Sequence, residues 1–428
     1  MIYNIFIRIA AVFIPIAALF FPKLRERQQK ARVTFDVLNK LDKTRKNIWF
    51  HAASVGEFEQ AKPVIELLRA KYPDMQFVCS FQSPSAFNTQ QNYPYANAIV
   101  YLPIDIKRNV SRFLDKIHPQ CAVFVRYEIW RNYLEELRSR SIPTILINAT
   151  QPKIGSLRRK ALFENFFCEC YNLFTRIYTV SQAHTEYFKK IGVRCEILTL
   201  SDTRFDRIIE KVEQSAIKPI LPKELFDDDE FVLVAGSSWQ QEEAILSELK
   251  SYSAIYSLQK RIRLIITPHE PTATHIATLI EQFPDSILLS QLLEMLDKFP
   301  LDTIRKKISS KTIIVDSVGK LLRLYAVADA AFVGGAFGVG VHSLTEPAGY
   351  GIPLASGFNI QSSPDAAALL ECGALTVVRN ADEFTKWLAL IVNNSKEREQ
   401  MKAASKNYVY SAKGSSSIIA GFIEQLFD

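Results

Sequence analysis

The chain has 428 residues, 48% of them hydrophobic and 23% charged, with a formal net charge of +7. That length suits two domains rather than one, and the composition excludes a disordered chain. No nucleic-acid-binding motif accompanies the modest positive charge, so nucleic acid is not expected as a partner. None of the six cysteines forms a C-x-x-C pair, which argues for reduced thiols in a cytoplasmic setting and against structural zinc.

Ile2 to Phe21 is apolar apart from Arg8 and about long enough to cross a bilayer as a helix. Residues 1–22 are expected to be a membrane anchor, in which Pro15 is tolerated. Positive charges follow the apolar run and no A-x-A cleavage pattern appears, which disfavours a removed signal peptide. Arg8 leaves a shallow, monotopic anchor as the alternative to a full span. A buried amphipathic helix is the alternative to any membrane role. In 23–46, Lys23, Arg25, Arg27, Lys30, Arg32, Lys40, Lys43, Arg45 and Lys46 face only Glu26, Asp36 and Asp42. This juxtamembrane segment points to an anionic membrane surface and puts the rest of the chain on the cytoplasmic side.

From Ile48 short apolar runs alternate with helical patterns. Strands are expected at Ile48–Ala52, Gln76–Ser80, Ala98–Leu102, Cys121–Val125, Thr144–Asn148, Arg176–Val180 and Cys195–Leu200. This is the rhythm of a doubly wound parallel sheet, giving a first Rossmann-like domain over 47–209. Pro219, Pro222 and the acidic run Asp227–Glu230 mark 210–230 as a linker. The rhythm resumes at Phe231–Ala235, Arg263–Ile266, Thr312–Val315, Ala330–Val333, Pro353–Ala355 and Ala374–Val378, giving a second α/β domain over 231–428. Its last part, Ser395–Asp428, reads as helical and able to pack back on the first domain. Ligands in such sheets sit beyond the carboxyl ends of the strands, here in a central cleft.

The strand ends hold the candidate residues. Ser54-Val55-Gly56-Glu57 follows the first strand and opens a helix. Glu57 is either a general base for a hydroxyl nucleophile or a first-turn glutamate of a capping box with Ser54. Gly56 permits close backbone approach. Arg126-Tyr127-Glu128-Ile129-Trp130 follows the fourth strand. It reads as contacts to a polar acceptor, or as a surface ion pair of Glu128 with Arg131 or Arg138. In the second domain, Gly236-Ser237 precedes a helix start suited to an anion. Pro268-His269 follows another strand, and His269 can donate to a phosphate. The run Gly334-Gly335 to Ser343 and Glu346 suits a nucleotide, with Glu346 on ribose hydroxyls. No DxD triplet after a strand and no HExxH appear, so a metal-free reaction without cofactor is expected.

Ser54-Val55-Gly56-Glu57, Glu128-Ile129-Trp130-Arg131-Asn132, Asp202-Thr203-Arg204-Phe205-Asp206, Leu321–Asp329 and Val333-Gly334-Gly335 through Glu346-Pro347-Ala348 occur in one order. In that order they resemble the 3-deoxy-D-manno-octulosonic acid (Kdo) transferases, over essentially the whole chain. The resemblance implies a GT-B fold and inverting transfer of Kdo from CMP-Kdo to a lipid A precursor (lipid IVA) at the cytoplasmic face of the inner membrane. It implies Glu57 as base, acceptor contacts at Ser54, Gly56, Arg126 and Glu128, and CMP contacts at Gly236, Ser237, Pro268, His269, Gly319, Gly335, Ser343 and Glu346. The chain departs from the common pattern at Arg126, Pro268, Ser201 and Ser343, where many members carry Glu, Arg, Gly and Asn. The alternatives are another GT-B enzyme with a different nucleotide sugar, a sugar-nucleotide epimerase of similar fold, and an inactive membrane scaffold.

Overall fold

The computed structural model describes residues 2–152, 156, 161–249, 258–309 and 311–427. The chain divides into two compact units, Met1–Arg207 with Ala412–Asp428, and Ile208–Ser411.

The first unit opens with helices α1 (Ile2–Phe20), α2 (Pro22–Ala31) and α3 (Thr34–Leu38). Its seven strands are β1 (Asn47–Ala52), β2 (Gln76–Phe81), β3 (Ala98–Tyr101), β4 (Pro119–Val125), β5 (Thr144–Ala149), β6 (Arg176–Thr179) and β7 (Glu196–Thr199). They form one sheet in the order β3-β2-β1-β4-β5-β6-β7, with every pairing parallel. The central strands are buried throughout and read as mostly apolar runs, with polar residues such as His51 and Ser80 near their ends. Trp49 sits at the heart of one face, edge-on to Phe113 and Phe124. The order reverses direction at β1 and β4, so the loops after these two strands diverge at a switch point. Helix α4 (Val55–Lys71) leaves from the first of them.

The second unit holds β8 (Glu230–Ser238), β9 (Arg261–Pro268), β10 (Ser286–Leu288), β11 (Thr312–Ile314), β12 (Ala330–Val333), β13 (Leu354–Ser356) and β14 (Leu375–Val377). Their order is β10-β11-β9-β8-β12-β13-β14, again all parallel. The edge strand β10 has no counterpart among the expected strands. Its three residues run straight into the helix Leu289–Lys298, too short for any alternation to register.

Three boundaries differ from those drawn on the sequence. The basic segment 23–46, drawn as a separate juxtamembrane stretch, is folded onto the first unit. Arg27 donates to Gln82 Oε1 at 2.6 Å, and Leu38 and Leu41 enter the core. Residues 210–230 are only in part a connection. The helix Arg204–Ile217 runs into them, and the acidic run is structural: Asp227 and Asp229 pair with Arg261, and buried Glu230 pairs with buried Arg263. A composition of Pro and Asp looks like a linker only when these arginines, distant in sequence, are ignored.

The third difference is at the C-terminus, where the second domain, drawn to 428, ends at Ser411, while the last helix packs back on the first unit as its pattern allowed. Residues Ala412–Asp428 belong to the first unit, because Asp206 draws them there. Its two carboxylate oxygens accept the N–H groups of Gly414 and Ser416 at 2.6 and 2.7 Å, at the start of the helix Ser415–Gln425. Ile419, Ala420 and Ile423 then join the core against α4. Orphan N–H groups at a helix start favour a carboxylate both as hydrogen-bond acceptor and as charge. Replacing Asp206 with Ala should lower the stability of the first unit by about 1 kcal/mol, within the range for a lost cap. Denaturant unfolding followed by tryptophan fluorescence checks this.

Candidate active site

Strand β1 delivers His51 to the upper end of the sheet, then Ala53-Ser54 turns into α4. The capping box expected there is present. Ser54 Oγ accepts from Glu57 N at 3.3 Å, and Glu57 Oε2 accepts from Ala53 N at 2.6 Å and Ser54 N at 3.2 Å. Both bonds to the carboxylate end on Oε2. Among the described residues Oε1 has no hydrogen-bond partner, and the residue keeps 9% of its surface exposed. The two readings of Glu57 are therefore compatible: one oxygen caps while the other stays open. Burial pushes its pKa above the ordinary glutamate value and the negative charge of Glu128 adds to the rise, while the N–H groups of Ala53 and Ser54 oppose it. A carboxylate so raised is a stronger base than an exposed one.

Glu128, from the loop after β4, meets a buried partner. Its Oε2 lies 3.0 Å from His51 Nε2 and accepts from Trp130 Nε1 at 2.8 Å. His51 Nδ1 lies 2.9 Å from Ser80 Oγ and 3.1 Å from the Ser80 carbonyl oxygen. Ser80 Oγ also accepts from Trp49 Nε1 at 2.8 Å. The chain Trp49–Ser80–His51–Glu128–Trp130 thus crosses β2, β1 and β4 and fixes the Glu128 carboxylate. The alternative pairing with Arg131 or Arg138 gives way to other contacts. Arg131 holds Glu135 and Glu169, and Arg138 donates to the Asn172 carbonyl. Arg126 sits in left-handed backbone at φ 64°, its guanidinium 5.5 Å from the Tyr127 ring centre. Sequence reasoning placed Trp130 in this cluster but missed His51 as a member of the site. The available signal was a histidine one residue from the end of an apolar strand.

The motif Asp202–Asp206 braces α4 from below. Gln60 donates to Asp202 Oδ2 at 2.8 Å, and Thr203 Oγ1 donates to the Gln60 carbonyl at 2.6 Å. Asn148 closes the group through bonds of 2.7 and 3.0 Å to Thr203. These residues are buried, and they set the position of the helix that carries Glu57.

In the second unit three strand ends converge. Trp239, after β8, stacks on His269, after β9, with ring centres 4.9 Å apart; His269 stacks on His342 at 4.2 Å. Trp239 Nε1 donates to His342 Nε2 at 2.9 Å. Burial and the neighbouring His269 push the His342 pKa down, so it stays neutral and able to accept that bond. A cavity of about 600 Å³ opens beside Trp239 and His269, lined also by Ser238, Gln240 and His275. Trp239, His342 and His275 were not among the residues expected from the sequence.

The glycine loop does something other than expected. A Cβ on Gly334 would lie 2.2 Å from the Ser237 carbonyl oxygen, so this glycine lets the β8 and β12 ends touch. Gly335, at φ 91°, gives its N–H to Glu242 Oε1 at 2.8 Å; that N–H is not available to a phosphate. Glu242 also accepts from Trp239 N at 3.1 Å. The adjacent Glu243 accepts from Ser238 Oγ at 2.7 Å and lies 2.8 Å from His275 Nε2. One protein carboxylate, Glu242, therefore already caps the helix start at Gln240 expected to meet an anion, and a second, Glu243, lies beside it. Their residue type, Glu-Glu in the first turn, was the signal that could have been read.

Gly236 pairs with Val333 across β8 and β12, and Ser237 is in left-handed backbone at φ 52°. Pro268 ends β9. Ser343 is exposed and bonds Thr345. Glu346 starts the helix Thr345–Gly349; burial raises its pKa and Lys211 opposes the rise. Gly319 stands in a turn at φ 77° with open space where a side chain would be. Among the described residues no group of three or more His, Cys, Asp or Glu is placed to hold a metal ion.

Residues 23–207 match the family model described as 3-deoxy-D-manno-octulosonic-acid transferase (kdotransferase). The chain is 22% identical over 384 residues to the 3-deoxy-D-manno-octulosonic acid transferase of Haemophilus influenzae, covering 86% of this chain and 84% of that one. It is 25% identical over 383 residues to the enzyme of the same description from Rickettsia felis, covering 88% and 78%. Among solved structures it resembles the UDP-GlcNAc 2-epimerase of Neisseria meningitidis bound to UDP-GlcNAc, with a TM-score of 0.58 at 12% identity over 89% of this chain and 100% of that one. It also resembles MurG of Acinetobacter baumannii, with a TM-score of 0.51 at 11% identity over 89% and 99%. At such identity these two likenesses establish the fold alone, and it is GT-B.

If the charge of Glu128 helps to raise the Glu57 pKa, replacing Glu128 with Gln should move the Glu57 titration to lower pH. Carboxyl ¹³C NMR on glutamate-labelled protein checks it; an unmoved Glu57 resonance would refute the coupling.

Proposed function

We propose that this chain is a glycosyltransferase of the Kdo transferase family and that it moves Kdo from CMP-Kdo to a lipid A precursor, lipid IVA, on the cytoplasmic side of the inner membrane. The observation that carries the reading is the divided carboxylate of Glu57, with Oε2 held by two backbone N–H groups and Oε1 open. A base anchored through one oxygen keeps the other in a fixed direction, which general-base catalysis requires.

In the proposed reaction Glu57 Oε1 takes the proton of an acceptor hydroxyl. The hydroxyl oxygen bonds to the anomeric carbon of Kdo as the bond from that carbon to the CMP phosphate oxygen breaks. Attack opposite the leaving group inverts the configuration. His51 and Trp130 hold Glu128 beside the base, and Arg126 supplies positive charge for a phosphorylated acceptor. On the donor side the reading rests on His269 and Ser237, with Glu346 for the ribose; Pro268, Ser343, Gly236 and Gly319 shape their loops. Gly335 contributes through close packing, since its N–H is taken. No metal or other cofactor enters the proposal. The exposed apolar face of α1 and the basic residues beside it support attachment to an anionic membrane.

The direct test is incubation of the detergent-purified protein with lipid IVA, Kdo, CTP and the CMP-Kdo-forming enzyme, followed by mass measurement of the lipid. A product heavier by one or more Kdo units is expected. No mass shift, with a known transferase active in parallel, would overturn the donor or the acceptor; competition of CMP against UDP in binding would then separate a UDP-sugar enzyme from this reading. Glu57→Gln should lower turnover at least ~10²-fold while leaving CMP binding unchanged. The wild-type rate should fall as pH drops through the raised Glu57 pKa, because protonation removes the base. Chelation with EDTA should leave the rate unchanged once CMP-Kdo is preformed, which separates this enzyme from metal-dependent transferases.

A further inference from the structure

We infer that α1 is a monotopic, in-plane membrane helix, held at both ends by the first unit and lying with its open stripe in lipid, and that it does not cross the bilayer. The inference rests on the membrane attachment proposed above and is independent of donor, acceptor and base.

The helix is apolar on every side, but its environment is not uniform. Tyr3, Asn4, Ile7, Ala11, Ile14 and Ala18 are buried or half-buried. At 100° per residue these positions fall on one stripe running the length of the helix. Phe6, Ile9, Val12, Phe13, Ile16 and Phe20 fall on the opposite stripe, and all are exposed. Phe6 keeps 67% and Phe20 75% of its surface in the open. A spanning helix meets lipid around its whole circumference; this one has a less exposed stripe, with Ala18 buried and Tyr3 in contact with the first unit, opposite a fully open one.

Both ends are tied to the same unit. At the start, Tyr3 Oη donates to Asp105 Oδ2 at 2.5 Å, and the Tyr3 ring lies 5.3 Å from that of Phe166. Asp105 also accepts the N–H groups of Asn132 and Tyr133, both at 3.1 Å. At the other end the chain turns directly into α2, whose Arg27 bonds Gln82 and the Leu102 carbonyl. Nineteen residues of helix measure about 28 Å. Standing this helix across the hydrocarbon while Tyr3 holds Asp105 would sink Asp105, Arg131 and Glu135 into lipid, where charges are costly. Laying it in the interface leaves them in water.

The occupant of the open stripe is an anionic bilayer. A contiguous apolar stripe of this length exceeds what a soluble surface leaves bare. Arg8 sits at its border, and exposed Lys23, Arg25 and Arg32 follow it, placed to meet acidic headgroups. The arrangement also explains the latch. Asn132 and Tyr133 begin the helix that follows Glu128 and Trp130, so Tyr3 and Asp105 tie that loop of the candidate site to the membrane plane, where a lipid acceptor presents its sugar.

Sidedness of the N-terminus decides the matter. A cysteine placed ahead of a short Gly-Ser extension before Met1 stays in water, and native Cys372 is exposed and reports the side of the folded units. Labelling with a membrane-impermeant maleimide in inverted inner-membrane vesicles should reach both; in spheroplasts it should reach neither until the membrane is opened. An N-terminal cysteine labelled in intact spheroplasts, with Cys372 protected, would show a span and overturn the inference. Phe13→Glu should lower binding to phosphatidylethanolamine–phosphatidylglycerol vesicles at least 10-fold with unchanged thermal unfolding. A wild-type protein that ignores such vesicles would overturn membrane attachment itself, and a discrete soluble dimer would give the apolar stripe to a second copy. Kdo transfer in either of those cases would leave the proposed reaction standing.

Discussion

The carboxylate of Glu57 must serve two masters at the point where β1 becomes α4. The helix start presents N–H groups that need an acceptor, and Glu57 Oε2 satisfies two of them, those of Ala53 and Ser54. Because that obligation falls on a single oxygen, the second remains free in a site that is almost closed to water. Burial then raises the basicity of the group that geometry has aimed. Much of the first unit serves to keep this helix in place. Asp202 and Thr203 hold Gln60, Arg207 holds Glu59 at 2.8 Å, and Asp206 brings in the last helix, which packs along α4.

The second unit solves its polar problem differently. Its strand ends are joined by side chains and backbone of the protein itself: Glu242 on Gly335 and Trp239, Glu243 on Ser238 and His275, and a stack of one indole on two imidazoles. Glycine at 334 is required by the neighbouring strand end, not by a ligand. What remains open to a ligand is the cavity edged by Trp239 and His269.

Much of this was legible in the sequence. All seven strands of the first sheet announce themselves, because central parallel strands are buried on both faces and appear as apolar runs bounded by polar turns. The Ser54–Glu57 capping box is a local device with a local signature, and the structure contains it. Glu128 was found as a candidate, but its partner was not, since His51 is 77 positions away. The linker over 210–230 was misdrawn for the same reason: Asp227 and Asp229 find Arg261 only after β8 and β9 pair.

Helix α1 shows most clearly where such reading stops. An apolar run of this length has the same sequence whether lipid surrounds it or a protein covers half of it, because hydropathy counts residues and does not say what each faces. By itself the sequence determined the two parallel α/β units, the apolar start of the chain, the capped helix and the candidate base, all of which depend on neighbours a few positions apart. The tertiary structure alone decided which carboxylates are free, which glycines serve packing and which side of α1 stays open. Each of those depends on pairs separated by tens or hundreds of residues, and no local pattern encodes the partner.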